Sequence, residues 1–248
     1  MTTTAPGRPL DGFAYISFDL VGTLIDFERA ITQTLTSIAE EAGVSLDAEE
    51  ALAIYRTART QPEAGLFPDD LGRCYGIIAA RTGLPDRPEL RQALVDAAGD
   101  APAFPDSADA LARLKRDHKL IAMTNARRWA FENYARTLGQ PFWAALTTDD
   151  TGTEKPDPAF FDAAFDLVRG DGGDKADILH TAQSQYHDIG VSRALGMTNA
   201  WIERRHGQPG YGGSIEPEAF TRPDYHFLTL AELADAMERA SDRTSADV

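Results

Sequence analysis

Short runs of apolar, β-type residues alternate with segments of helical periodicity along most of this chain. The β-type runs lie at 14–18, 120–124, 145–148, 178–182, 199–202 and 225–227. Helical patterns fall between the later ones, at 107–115, 130–138, 158–168, 189–195 and 230–240. Such alternation predicts an α/β fold, a Rossmann-like doubly wound parallel sheet with helices on both faces. Thr229 and Glu232 form a capping box that sets the start of the last helix. The stretch 27–103 departs from the alternation. It shows helical periodicity at 31–42, 48–60, 71–82 and 89–98 and almost no strand signal, and it exceeds the dozen or so residues a crossover needs. It is therefore expected to be a helical cap inserted after the first strand, with hinges at 26–28 and 100–105. The division is a core of 1–26 and 104–248 and a cap of 27–103. No internal repeat is visible, and the polar tail 241–248 is expected to fray.

Composition narrows the choice of partners. With 248 residues and 43% hydrophobic content the chain can bury a substantial core. A formal net charge of −15 argues against nucleic acid or an anionic membrane as partner, so an anionic substrate must be drawn in by particular Lys or Arg residues. The single Cys74 excludes an internal disulfide and fits a reducing compartment. No stretch approaches the ~20 apolar residues of a membrane span, and 1–12 is polar without a signal-peptide apolar run, so a cytoplasmic location is expected.

Four segments carry candidate chemistry. In Tyr15-Ile16-Ser17-Phe18-Asp19-Leu20-Val21-Gly22-Thr23-Leu24, a β-type run delivers one carboxylate into a Gly-Thr turn, a way to expose a nucleophile at a strand's end. The run 120–125 ends in Thr124 and Asn125, a hydroxyl and an amide able to hold an anionic oxygen, although Thr-Asn also simply turns a chain. Lys155 stands in Glu154-Lys155-Pro156-Asp157-Pro158; a lysine before proline at a helix start is ordinarily a surface residue. After 178–182 come Gln183-Ser184-Gln185-Tyr186-His187-Asp188 and a helix whose dipole alone would favour Asp188. All four lie at the expected carboxyl ends of parallel strands, where open α/β sheets bind ligands.

In this order the four segments resemble the motifs of the haloacid dehalogenase superfamily, and within it the L-2-haloacid dehalogenase-like branch, from residue 14 to the final helix. The resemblance implies that Asp19 attacks C2 of a 2-halo acid with inversion and forms an aspartyl ester that water then hydrolyses. It implies that Thr23 fixes Asp19, that Lys155 keeps it charged, and that Asp188 orients the lysine and the water. Thr124, Asn125, Ser184, Gln183 and Gln185 would hold the substrate carboxylate or the halide, with Leu20 and Val21 beside them. A cap arginine would meet the leaving halide. Arg56 and Arg59 lie three apart on one helix face, and Arg56 is the preferred candidate. Leu66, Phe67 and Tyr75 could supply apolar walls. The resemblance also points to a homodimer.

Departures from the branch sharpen the chemistry. Val21 stands where phosphatases carry the acid that protonates the leaving oxygen and where dehalogenases carry a Tyr, and a valine donates no proton. Gln183 stands where metal-dependent members carry an Asp, and a neutral amide is a poor ligand for magnesium. No metal and no cofactor are therefore expected. Phe161 replaces a second Tyr, Gln183-Ser184-Gln185 replaces a Ser-Ser-Asn run, and His187 replaces an aromatic residue. The resulting expectation is a metal-independent hydrolase acting by SN2 displacement on a small 2-substituted carboxylic acid, foremost an (S)-2-haloacid dehalogenase. Ring opening of an azetidine-carboxylate type is the alternative, followed by a non-catalytic binder of small acids and a magnesium-dependent phosphatase or phosphonatase. The leaving group, the choice between the cap arginines, the roles of His180 and His187 and the oligomeric state stay open at this level. Lys155→Ala is expected to remove most activity while leaving the fold intact, as for an exposed lysine at a loop–helix junction.

Overall fold

Six parallel strands form one sheet in the order β3-β2-β1-β4-β5-β6. They are β1 (Tyr15–Phe18), β2 (Lys119–Thr124), β3 (Ala144–Thr147), β4 (Ile178–Ala182), β5 (Thr198–Ile202) and β6 (Tyr225–Phe227). The computed structural model describes residues 9–246. Every residue of β1 and β4 is buried, as their continuous apolar runs require for strands covered on both faces. Alternate residues feed two cores. Ile16 and Phe18 point to one cluster with Leu111, Tyr134 and Leu233, from α5 (Ser107–Leu114), α6 (Arg128–Thr137) and α10 (Leu230–Ala246). Tyr15 points to the other, against Phe160, Phe161 and Val168 of α8 (Pro158–Gly170). The sheet order reverses direction between β1 and β4, and that switch point is where a doubly wound sheet opens a crevice.

Four helices are inserted between β1 and α5: α1 (Phe27–Ala42), α2 (Ala48–Arg59), α3 (Leu71–Thr82) and α4 (Pro88–Gly99). The Asp26 and Asp47 side chains accept from the first-turn amides of Arg29 and Glu50 and start α1 and α2. Gly43 and Gly83 end α1 and α3 in the left-handed region, at φ +66° and +80°. The outgoing and returning connections lie side by side, Asp26 N–H donating to Pro102 O at 2.7 Å and Phe104 N–H to Leu24 O at 2.9 Å. Ile31, Leu35, Leu52, Leu71 and Ile78 join the same apolar cluster as Leu24 and Phe27, so the inserted helices share a continuous core with the sheet.

Two expectations are corrected at element ends. α1 starts at Phe27, ahead of the periodic run at 31, because the Asp26 cap and the buried Phe27 extend it through the polar Glu28 and Arg29. The polar tail is helical as far as Ala246, with no Gly or Pro to stop propagation from the packed Met237; 247–248 lie outside the described residues, as do 1–8 of the polar amino-terminal stretch. The Thr229–Glu232 capping box forms, through Glu232 N–H to Thr229 Oγ1 at 3.1 Å and Thr229 N–H to Glu232 Oε2 at 3.4 Å. Among the described residues no helix is long and apolar enough to cross a membrane.

Candidate active site

A cavity of about 670 Å³ opens at the carboxyl ends of β1, β2 and β4. Asp19, Val21, Asn125, Lys155, Ser184, His187 and Asp188 line its floor. The inserted helices supply Phe27, Tyr55 and Arg59, and the β5–β6 connection contributes Gly213, Ser214 and Ile215.

Asp19 follows β1 directly, its N–H donating to Thr181 O of β4 at 3.0 Å. The chain then folds around one carbonyl: Leu20 O accepts from the amides of Thr23, Leu24 and Ile25 at 3.2, 2.8 and 2.9 Å. Gly22 makes this turn at φ +90°, a conformation that L side chains rarely adopt. The turn brings the Thr23 hydroxyl to Asp19 Oδ2 at 2.6 Å, and the same hydroxyl accepts from Gln183 N–H at 2.8 Å, tying the β1 turn to the end of β4. Arg204, just past β5, braces the turn from below by donating to Thr23 O at 2.9 Å while pairing with Asp106 at 2.8 Å.

Lys155 lies at the centre. Its ammonium donates to Asp19 Oδ1 at 2.8 Å, to Asp188 Oδ1 at 2.6 Å and to Met123 O at 2.9 Å, all buried. Asn125 positions it by gripping the backbone twice, accepting from Lys155 N–H at 2.7 Å and donating to Lys155 O at 2.8 Å. Asp188 sits in the π-helical turn Gln185–Ile189 after β4. Its Oδ1 also contacts His180 Nε2 at 3.1 Å, and His180 Nδ1 meets Ser17 Oγ at 2.9 Å. A buried polar line thus runs Ser17–His180–Asp188–Lys155–Asp19.

The electrostatics follow from this packing. Burial pushes Asp19 above the usual carboxylate range and the charge on Asp188 adds to the push, against the pull of Lys155 and the Thr23 hydrogen bond. Burial also disfavours the charged form of Asp188, but Lys155 and the His180 hydrogen bond outweigh it and hold Asp188 at about 2. Lys155 loses hydration on burial, yet the two carboxylates more than offset this and raise its pKa, keeping it an ammonium. His187 is driven down to about 4 by burial, with the charges of Lys155 and Arg59 contributing against Asp188, so its ring is neutral at neutral pH.

The side chains present do not fit a resident divalent cation. The Lys155 ammonium already occupies the space between the Asp19 and Asp188 oxygens. The Gln183 amide oxygen accepts from Ser214 Oγ at 3.0 Å. Among the described residues no group of three His, Cys, Asp or Glu side chains converges as a metal site.

Of the expected site residues, Asp19, Thr23, Lys155 and Asp188 come together, and Val21, Asn125 and Ser184 line the cavity beside them. Five are placed elsewhere. The Thr124 hydroxyl is wholly buried and accepts from Ala126 N–H at 3.2 Å, closing the turn out of β2. Leu20 is core, and its contribution is the carbonyl at the heart of the turn. Gln183 does not line the cavity, its Oε1 being engaged by Ser214 Oγ at 3.0 Å. Gln185 is buried, with Oε1 accepting from Thr221 N–H at 3.0 Å. Arg56 does not reach the cavity: it donates to Gly212 O at 2.5 Å, and Arg59 lines the cavity instead, paired with Asp70 at 2.7 Å. Phe67 and Leu66 form walls as expected, whereas Tyr75 is buried in the helical core with its hydroxyl on Pro85 O. His180, Arg204 and the 213–215 segment were not anticipated in these places.

A doubly wound parallel sheet with four helices inserted after its first strand, and a strand-end aspartate set in a Gly-Thr turn beside a buried lysine, defines a hydrolase of the haloacid dehalogenase type. The sequence model of the haloacid dehalogenase-like hydrolase family matches residues 13–180, and the chain belongs to that family. A curated relative, (S)-2-haloacid dehalogenase 4A of Burkholderia cepacia, is 26% identical over 211 residues, 82% of this chain and 88% of that protein. Among solved structures, an L-2-haloacid dehalogenase is 24% identical with a TM-score of 0.74, covering 92% of this chain and 100% of the other. A magnesium-bound hydrolase of the same superfamily from Bacillus subtilis is 18% identical with a TM-score of 0.71, covering 91% and 99%. The same fold thus serves both, and side chains must decide the chemistry.

Proposed function

We propose that this protein is a metal-independent hydrolase of small 2-substituted carboxylic acids, acting as an (S)-2-haloacid dehalogenase through a covalent ester on Asp19. The observation that carries the reading is the Lys155 ammonium lodged between Asp19 and Asp188, at 2.8 and 2.6 Å. A positive charge fixed there favours the ionised nucleophile and offsets the charge of an anionic substrate brought beside it. Thr23 holds the second Asp19 oxygen and limits rotation of the carboxylate. Asn125 acts through Lys155 rather than on substrate.

An Asp19 oxygen attacks C2 as the C2–X pair departs with X. Val21 offers no proton at the position facing the leaving group, which suits a halide that leaves as an anion. Water then attacks the ester carbonyl carbon of Asp19 and releases the 2-hydroxy acid. Asp188 Oδ2 is buried and has no hydrogen-bond partner, so it is an available acceptor for that water. The helices of 27–103, with Phe27, Tyr55 and Arg59 over the cavity, serve as the cap that excludes bulk solvent. The name of the Burkholderia cepacia relative supports the substrate class.

The test is a single turnover of (S)-2-chloropropionate in heavy-oxygen water with enzyme in excess. Label should enter the Asp19 peptide and leave the first-formed lactate unlabelled, because product oxygen comes from the carboxylate. Label in the product of that first turnover, or full activity in Asp19→Asn, refutes the covalent mechanism.

A further inference from the structure

His180 stands in the middle of β4, wholly buried, and does not line the cavity. Both of its ring nitrogens are committed. Nδ1 meets Ser17 Oγ at 2.9 Å, across the β1–β4 ladder in which the two residues are register partners, and Nε2 meets Asp188 Oδ1 at 3.1 Å. An ionised carboxylate only accepts, so the nitrogen facing Asp188 carries a proton and donates it. Phe161 packs edge-on against the imidazole at 5.4 Å and 74° and offers it no competing hydrogen bond.

The consequence falls on Asp188, whose two oxygens are treated unequally. Oδ1 accepts from both His180 and the Lys155 ammonium, whereas Oδ2, equally buried, has no hydrogen-bond partner among the described residues. Lys155 cannot supply one, because its three N–H groups are spent on Asp19, Asp188 and Met123 O. Two donors converging on one oxygen fix the roll of the carboxylate about its Cβ–Cγ bond; a single donor leaves that roll free. A buried oxygen kept without a donor costs free energy unless the reaction supplies one.

We infer that His180 is a positioning residue for the second half of the reaction: by holding Asp188 Oδ1 it presents Oδ2 to the water that cleaves the Asp19 ester. The inference rests on the dehalogenase reading and assigns His180 to one step of it. As the water oxygen bonds to the ester carbonyl carbon, Oδ2 takes one of its protons. The bond from that carbon to the substrate oxygen then breaks, its electron pair stays on the substrate oxygen, and the proton passes there from Oδ2 to complete the 2-hydroxy acid. The second water proton leaves the restored Asp19 carboxyl for solvent. The imidazole exchanges no proton in this sequence and touches neither substrate nor water. Displacement of the halide uses Asp19 and Lys155 and does not depend on the roll of Asp188, so loss of His180 should separate the two steps.

The experiment follows (S)-2-chloropropionate by rapid quench, reading chloride release for ester formation and lactate release for ester hydrolysis. It compares the wild type with His180→Leu, His180→Gln and Ser17→Ala. Loss of one hydrogen bond to a charged group corresponds to about 10- to 100-fold. In His180→Leu lactate release should slow by that factor and chloride release far less, so that chloride appears as a stoichiometric burst and ester accumulates on the Asp19 peptide. His180→Gln, whose amide N–H can reach Asp188 from near the Nε2 position, should recover most of the loss. Ser17→Ala removes a neutral hydrogen bond that steadies the ring, corresponding to about 2- to 10-fold, and should slow lactate release alone; it decides the matter if His180→Leu does not fold. Equal slowing of both steps, unchanged lactate release in Ser17→Ala, or a His180→Gln variant as slow as His180→Leu overturns the positioning role and leaves the dehalogenase reading intact. Wild-type enzyme that releases no chloride removes the dehalogenase reading itself, and the inference with it.

Discussion

Replacing Lys155 by Met tests the centre of the site through stability as well as activity. The Lys155 side chain is 1% exposed and those of Asp19 and Asp188 are 8% and 0% exposed, so the expectation of a surface lysine with a dispensable role in folding does not hold. At separations of 2.8 and 2.6 Å, an effective dielectric of ~20 gives about 6 kcal/mol of attraction for each ion pair. Desolvation of the three charges offsets much of that, but removing the ammonium recovers only its own share and leaves two carboxylates buried beside each other. The net loss should be about 3–5 kcal/mol of unfolding free energy near pH 8. The pH dependence gives a signature. Without Lys155 both carboxylates have folded-state pKa values raised above their unfolded ones, so the penalty is full at high pH and is relieved as pH falls and one of them takes up a proton. In the wild type the sign is opposite for Asp188, whose depressed value of about 2 contributes stability above the ordinary carboxylate range that is lost as pH falls through about 2. Urea denaturation of both proteins at pH 8 and pH 5 reads the difference directly. A loss under about 1 kcal/mol at pH 8, or one that does not shrink at pH 5, would refute the assignment of a buried compensating charge.

Catalysis should depend on ionised Asp19, so kcat/KM rises with pH through a limb lying above the ordinary carboxylate range, as burial dictates; a limb at or below that range contradicts it. Because Lys155 stands between the two carboxylates and Gln183 is engaged by Ser214, turnover should survive exhaustive chelation. Loss with EDTA and rescue by magnesium would reverse that view. Gly213→Ala places a Cβ 2.6 Å from Phe27 Cζ and 2.8 Å from Cε2, both part of a buried ring on the cavity wall. Overpacking of this kind costs about 1–3 kcal/mol, and KM should rise as the ring moves; a variant with unchanged melting temperature and KM would show that the 213–215 segment is not a rigid wall.

The sheet was legible because its strands are short apolar runs between turn residues, and burial of both faces under helices leaves little freedom in where such runs begin and end. Motif order likewise located the carboxylates and the lysine, since each follows a strand whose carboxyl end faces the crevice. What a linear pattern does not encode is the direction of a side chain at a strand's last residue or a helix's first. Thr124 and Gln185 occupy such places, and both turned to satisfy nearby backbone amides, of Ala126 and Thr221. Arg56 and Arg59 share a helix face, but Gly212 O captured one and Asp70 the other, and those partners lie 156 and 11 residues away. His180 did leave a trace. Ser17 and His180 are register partners in the β1–β4 pairing and the polar interruptions of two buried strands, and a polar pair in such strands has to be spent on something.

The charge arrangement limits how an acid substrate can be held. Two carboxylates and one ammonium leave the Asp19–Lys155–Asp188 cluster with one net negative charge, inside a protein whose formal charge is already −15. Among the described residues the other cation lining the cavity is Arg59, and its NH1 is engaged by Asp70 and Gly65 O. Asn125 spends its oxygen and one N–H on the Lys155 backbone, and the Ser184 hydroxyl is occupied by His187. On the proposed reading, a substrate carboxylate would therefore be held by neutral donors and by the guanidinium N–H groups of Arg59 that Gly65 O and Asp70 do not engage, so Arg59→Met should raise KM more than it lowers kcat, and an unchanged KM would remove Arg59 from substrate binding.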